Sequence, residues 1–218
     1  MSFFPGSPRL VKGGLVLLDP ETGAVQRVIA LQYNPESLTR TLQVQTVGGE
    51  GDRQEALRLK GPPVETLKVE VEIDAADQME AATSDSTVAQ VGIHPQLAVL
   101  ETIVYPPSSR IQLNDALASA GTLEIVPLEA PLTVFVWSQS RVMPVRITEF
   151  SITEEAFDPA LNPIRAKVSL GMRVLSVSDL PQAHKGASLF LVYQQEKERL
   201  AGLSPAGTLG ALGLTRIP

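Results

Sequence analysis

The strictest pattern in the chain is VETLKVEVEID, residues 64 to 74, where Leu67, Val69, Val71 and Ile73 alternate with Lys68, Glu70, Glu72 and Asp74. A period of two marks a strand with one buried and one wet face, as in an antiparallel sheet. The same rhythm recurs in AVQRVIALQY (24 to 33) and PIRAKVSLGMRVLSV (163 to 177), and LTRTLQVQT (38 to 46) and the apolar segments PLTVFVWS (131 to 138) and RVMPVRITEFSITEEAF (141 to 157) are expected to add further antiparallel strands. RLVKGGLVLL at 9 to 18 and the DPETG turn at 19 to 23 complete an N-terminal hairpin with residues 24 to 33. Tyr33, Asn34 and Pro35 then form a corner. Pro35 holds Asn34 extended, and the Asn side chain is expected to bond backbone just downstream.

Helical spacing is rarer. PQLAVLETIVYPP, 95 to 107, predicts a helix that opens near Pro95, presents Leu97, Val99, Leu100, Ile103 and Val104, and stops at Pro106-Pro107. A Ser/Asn/Ala/Gly linker is expected after it. ASLFLVYQQEKERLAGL, 187 to 203, predicts a terminal helix with Leu189, Val192, Tyr193, Glu196 and Leu200 on one stripe. The tail SPAGTLGALGLTRIP carries one charge, Arg216, beside Leu209, Ala211, Leu212, Leu214 and Ile217. Free tails are seldom so apolar, so this one is expected to dock on a neighbour.

The 218 residues suffice for one sizeable core. Aromatic content of 5% within 44% hydrophobic residues leaves the core to Val, Leu and Ile, which favours strands. A net charge of -6 without basic clusters argues against nucleic acid as partner. Zero cysteines exclude disulfides, thiolate catalysis and sulfur-ligated zinc. The opening MSFFPGSPRL does not read as a secretory signal, and no run reaches the ~18 apolar residues of a membrane helix. Synthesis in the cytoplasm and no membrane insertion are the expectations.

Candidate chemistry is sparse. His94 is expected to cap or pack at a helix start, and His184 to sit in a loop without a partner. Glu154 and Glu155 could supply a hydrolase base with Asp158 nearby, yet adjacent strand residues face opposite ways. GGEGD at 48 to 52 lacks both the GxGxxG spacing and a P-loop lysine. Ser84, Ser86, Ser108 and Ser109 lack a nucleophile-elbow setting. Trp137 with Phe135 suits a core or interface better than a sugar platform. No catalytic, cofactor or metal site is expected, and the chain reads as a non-enzyme.

Tyr33-Asn34-Pro35-Glu36, Leu67-Lys68-Val69, Phe150-Ser151-Ile152, Phe157-Asp158-Pro159 and Asn162-Pro163-Ile164-Arg165-Ala166, set on this order of strands over residues 9 to 178, resemble the tube-type protein of contractile injection systems. These systems are relatives of phage tails, and members of the family often end in a LysM module. The resemblance implies a mainly β (α+β) tail-tube-like fold, with two packed antiparallel sheets forming a β-sandwich or barrel, a flanking helix, and a C-terminal helix and tail. It also implies six copies in a ring whose inner strands make a continuous barrel. Such a homo-hexamer would be a baseplate adaptor that starts the tube, with the spike hub on one side, the inner tube on the other and wedge proteins around it. The particle would be cytoplasmic or released.

Residues 1 to 178 form the tail-tube-like domain in this reading, and 179 to 218 a helix and apolar tail too short for a complete LysM. The residues expected to carry structure or contacts between subunits are Tyr33, Asn34, Pro35, Leu67, Val69, Val71, Phe157, Pro159, Leu189, Leu209 and Leu212. The alternative is a β-sandwich module that binds carbohydrate or peptide through Trp137 and the loop at 48 to 61.

Overall fold

A computed structural model of the chain describes residues 11–20, 22–47, 57–76, 87–121 and 130–217. Seven strands run in order: β1 (Gly14–Leu18), β2 (Val25–Ala30), β3 (Leu38–Gln43), β4 (Val64–Asp74), β5 (Leu132–Ser138), β6 (Arg141–Phe157) and β7 (Pro163–Val174). The helices are α1 (Thr87–Val91), α2 (His94–Glu101), α3 (Ser108–Ser119) and α4 (Lys185–Leu203), followed by a 3-10 turn at Leu209–Leu212. The protein is therefore mainly β, in the α+β class, as its alternating segments predict.

All strands join one antiparallel sheet in the order β2-β1-β5-β6-β7-β4-β3. The two edge strands, β2 and β3, are linked by seven residues, 31 to 37. Eight Cα steps span six flat strand spacings, about 29 Å, only if fully extended, and the linker bends at Gln32, Tyr33 and Glu36. The sheet must curl, and Gln32 shows how it closes. Its side-chain amide donates to the Asp74 carbonyl and accepts from the Asp74 N–H at 3.0 Å, standing in for a ladder pair between the end of β2 and the end of β4. The described strands thus form one curled sheet in place of the two packed sheets expected.

The core lies inside the curl. Leu15, Leu67, Val71, Phe135, Met143, Val145, Val168, Leu170 and Met172 belong to one buried cluster. Each such Val, Leu, Ile or Phe contributes about 1.5–3 kcal/mol of apolar burial. β5 pairs with β6 only through Val145, so among the described residues the remaining twelve residues of β6 pair with no strand but β7. An extra residue, Thr148, bulges β6 between Ile147 and Glu149. The bulge drives Glu149 toward Gly171, where a Cβ would meet the Glu149 Cβ at 2.8 Å, so a side chain has no room there.

The helices depart from expectation in three places. α2 ends at Glu101, short of the Pro106-Pro107 stop, and leaves Val104 exposed. Residues 108 to 119 form α3 instead of a linker: Pro107 sits at the N-cap, and Arg, Gln, Leu and Ala in SSRIQLNDALAS are good helix formers. In α4 the buried stripe is Ala187, Phe190 and Tyr193, while Val192 and Leu200 are exposed and Leu189 is half-buried. The stripe is rotated because Phe190 and Tyr193 join the main core inside the curl. His184 is not an idle loop residue either. It is the N-cap of α4, its Nδ1 accepting from Gly186 N–H at 3.0 Å.

Candidate assembly surfaces

Four strands in the order β3-β4-β7-β6 present an outer face that is polar along its length, because every second residue of β4 and β7 points away from the core. Asp74, Arg165 and Glu155 lie abreast. Behind them come Glu72, Lys167 and Thr153, then Glu70, Ser169 and Ser151, then Thr39, Lys68, Gly171 and Glu149, and finally Thr41, Thr66, Arg173 and Arg146. The acids and bases on this face match one for one. Arg165 Nε sits 2.7 Å from Asp74 and 3.8 Å from Glu72, Lys68 is 3.1 Å from Glu149, and Lys167 is 3.5 Å from Glu155. The Ala76 N–H, with help from Arg165, holds the Asp74 carboxyl below its usual range against the opposing effect of burial, and Asp74 raises Arg165 in return. Exposed pairs of this kind contribute about 0–1 kcal/mol each. Their effect is to leave a wet face of balanced charge.

Two open strand edges border this face. Among the described residues, nothing pairs with the outer edge of β3, and nothing pairs with β6 beyond Val145 except β7. Unpaired ladder groups of this length are a template for another chain.

The corner and the distal hairpin turn are both locked by side chains that imitate backbone. Asn34 Oδ1 accepts from Gly13 N–H at 2.9 Å, and its Nδ2 donates to the Val11 carbonyl at 2.8 Å. The bonds run to the strand upstream, not to the backbone downstream, because β2 lies beside β1 and leaves Asn34 next to residues 11 to 13. At the β6–β7 turn, Asp158 accepts from Ala160 N–H, Asn162 N–H and Asn162 Nδ2, each at 2.8 Å. These bonds, Asn162's above all, lower the Asp158 pKa. Asn162 Nδ2 also donates to the Gln90 carbonyl at 3.1 Å, tying the turn to α1.

A charged hub fixes α4. Glu65, at the start of β4, is 3% exposed. It accepts from Tyr193 Oη at 2.9 Å and from Lys197 Nζ at 2.9 Å, and Lys197 lies 3.9 Å above the Tyr193 ring. Arg40 Nε is 3.0 Å from Glu65 Oε1, but its N–H finds no acceptor in line, so that contact is ionic and not a hydrogen bond. Burial, then the bond to Glu65, pushes the Tyr193 hydroxyl pKa well up. Sequence reasoning passed over this hub. Its signal was Glu65 itself, a carboxylate with the same parity as Leu67, Val69, Val71 and Ile73.

The residues singled out from sequence fall into separate regions. Leu67, Val69 and Val71 are buried in this chain's own core. Asn34 and Pro35 are half-buried at the corner, with Tyr33 exposed beside them. Phe157 and Pro159 are exposed at the β6–β7 turn, Leu189 is half-buried on α4, and Leu209 and Leu212 are exposed on the tail. Glu154 and Glu155 lie opposite Ala166 and Arg165, on opposite faces of the sheet. Trp137 is half-buried beside Phe135, with ring centroids 6.0 Å apart. His94 is exposed in the first turn of α2. The start of the chain, residues 48–56, Ser84 and Ser86 lie outside the described residues. Among those described, no three His, Cys, Asp or Glu gather as a metal would need, and no helix is long and apolar enough to cross a membrane.

No family model and no curated protein matches the chain. Among solved structures, the tail of an empty GTA particle, computed with helical refinement in C6 symmetry, is similar over 74% of this chain and 90% of that chain, at 13% identity and a TM-score of 0.27. A likeness at that score carries neither the fold nor the assembly of that tail over to this chain.

Proposed function

We propose that this protein is a structural ring subunit of a contractile injection particle, six copies of which form a baseplate adaptor between the central spike hub and the inner tube. One observation carries the reading: a charge-balanced polar face, four strands wide, is flanked by two open edges. The outer edge of β3 in one copy can pair with the distal half of β6 in the next. Repeated around an axis, that heterologous contact closes a ring and removes both edges, with the polar face lining a water-filled lumen. The resemblance of the Asn34-Pro35 and Asp158–Asn162 segments to the tube-type family supports the same reading. Both segments are turns that set strand angles, which fits a mechanical role for the chain.

The test is oligomeric state. Sedimentation velocity and negative-stain averaging of the purified chain, alone and with its spike and inner-tube proteins, should give sixfold rings in at least the mixture. A monomer at high concentration with those proteins present would sink the proposal.

A further inference from the structure

The seam of the curled sheet leaves an open apolar groove of about 380 Å³ between β2, β4 and α2, walled by Val28, Leu31, Val71, Ile73, Pro95 and Val99. β3 covers β4 only through Val69, so the backbone of β4 from residue 70 onward borders the groove without a strand on that side. No charged residue is among its described lining residues. Gln96 contributes a buried side-chain oxygen that has no hydrogen-bond partner. The groove thus asks for an uncharged apolar segment that brings a backbone N–H donor.

The chain carries such a segment at its other end. The tail holds a preformed turn, Leu209–Leu212, whose N-cap Thr208 Oγ1 accepts from Ala211 N–H and whose exit is Gly213 in the left-handed region at φ 71°. Leu212 is 74% exposed and Ile217 68%, and Leu209 and Leu214 are exposed as well. A turn ordered before docking loses less freedom on binding. The tail does not line the groove of its own chain. Lys197, the last anchor before it, is tied to Glu65 at the start of β4. The groove opens around Val71 and Ile73, about 20–26 Å further along that strand at ~3.3 Å per residue.

We infer that the tail of one copy docks in the seam groove of a second copy, with Leu209, Leu212 and Leu214 filling the apolar walls and a tail N–H satisfying Gln96. Tail and groove are different surfaces of one chain, so the contact is heterologous and links copies head to tail. It uses none of the strand edges invoked for the ring, so either contact can fail while the other stands.

The absence of cysteine permits a direct test. Leu212→Cys and Val28→Cys are made as separate single variants at exposed positions, mixed, and oxidised mildly. The expected result is a disulfide joining one variant to the other, lost when Leu209→Asp is added to the first, and at least tenfold weaker when Val28→Cys is replaced by Glu70→Cys on the polar face. Leu212→Cys chains that couple only to one another would overturn the inference. So would a lack of mixed product, or a Leu212→Cys/Val28→Cys double variant that closes within a single monomer at high dilution.

Discussion

Replacing Glu65 by Gln tests whether α4 is held mainly by charge. The carboxylate is almost completely buried and serves Tyr193, Lys197 and Arg40 at 2.9, 2.9 and 3.0 Å. Removing one member of a buried ion pair costs about 3–5 kcal/mol, because the charge left behind is desolvated and unpaired. Here the side chains of Arg40 and Lys197 are 27% and 30% exposed, so water recovers part of that loss. The glutamine carbonyl can still accept from Tyr193. We therefore expect a loss of about 2–3 kcal/mol for Glu65→Gln, and about 1.5 kcal/mol for Tyr193→Phe, which deletes one bond to a charged acceptor and leaves the ion contacts.

Urea unfolding followed by far-UV circular dichroism measures both losses. Hydrogen exchange across 185 to 203 should show α4 opening before the sheet in Glu65→Gln. A change below about 0.5 kcal/mol, the range of an ordinary surface substitution, with unaltered exchange in α4 would refute the argument. The raised Tyr193 pKa adds a pH signature. The native state keeps this proton at pH values where the unfolded chain, titrating near 10, has released it. That contribution is complete below pH 10 and is lost as pH rises toward the folded-state value. Tyr193→Phe should remove this part of the alkaline decline.

Three further outcomes follow from the turns and the corner. Gly92 has φ 57°, and a Cβ there would stand 2.3 Å from the Pro163 carbonyl oxygen, which also accepts from Ile93 N–H, so Gly92→Ala should cost at least ~2 kcal/mol in thermal or urea unfolding. Asp158 has a lowered pKa from its Asn162 and Ala160 bonds, so the stability it adds is present above the unfolded value near 3.8 and disappears as pH falls through the lower folded value. An acid titration of Asp158→Ala should lack that segment of the curve. Asn34→Ala breaks two bonds to residues 11 and 13 and should cost about 1–3 kcal/mol, with exchange increasing first in β1 and β2.

Strands were legible wherever the period of two ran long. The predicted bounds of β4 and β6 coincide with the observed ones, β4 because its strict alternation stops at a change of pattern, and β6, whose period the Thr148 bulge interrupts, because turns close it at both ends. α3 was not legible: Ile111, Leu113 and Leu117 make no continuous stripe, and the helix buries no residue, so the burial pattern that marks a helix is missing. The direction of the Asn34 bonds and the identity of the Glu65 partners depend on residues 21 to 132 positions apart, which no local window joins. Likewise the rotated stripe of α4 follows from where the curl opens, a property of the whole sheet.

That curl also explains how one chain can expose long strand edges and still specify its partner. On the β3-β4-β7-β6 face, Lys68, Glu149, Lys167 and Glu155 stand where a slipped strand would bring uncompensated charge. In the proposed ring, slipping an incoming β3 by one residue against β6 would set its outward-facing Thr39 and Thr41 beside the inward-facing Phe150 and Ile152, which the ladder to β7 holds in place. Register is therefore set by the same alternation that builds the monomer core. Edge pairing with an identical neighbour keeps the polar face continuous, whereas pairing with a strand of another pattern sacrifices either apolar burial or charge balance. In the proposed ring, this asymmetry would favour self-assembly over unspecific aggregation.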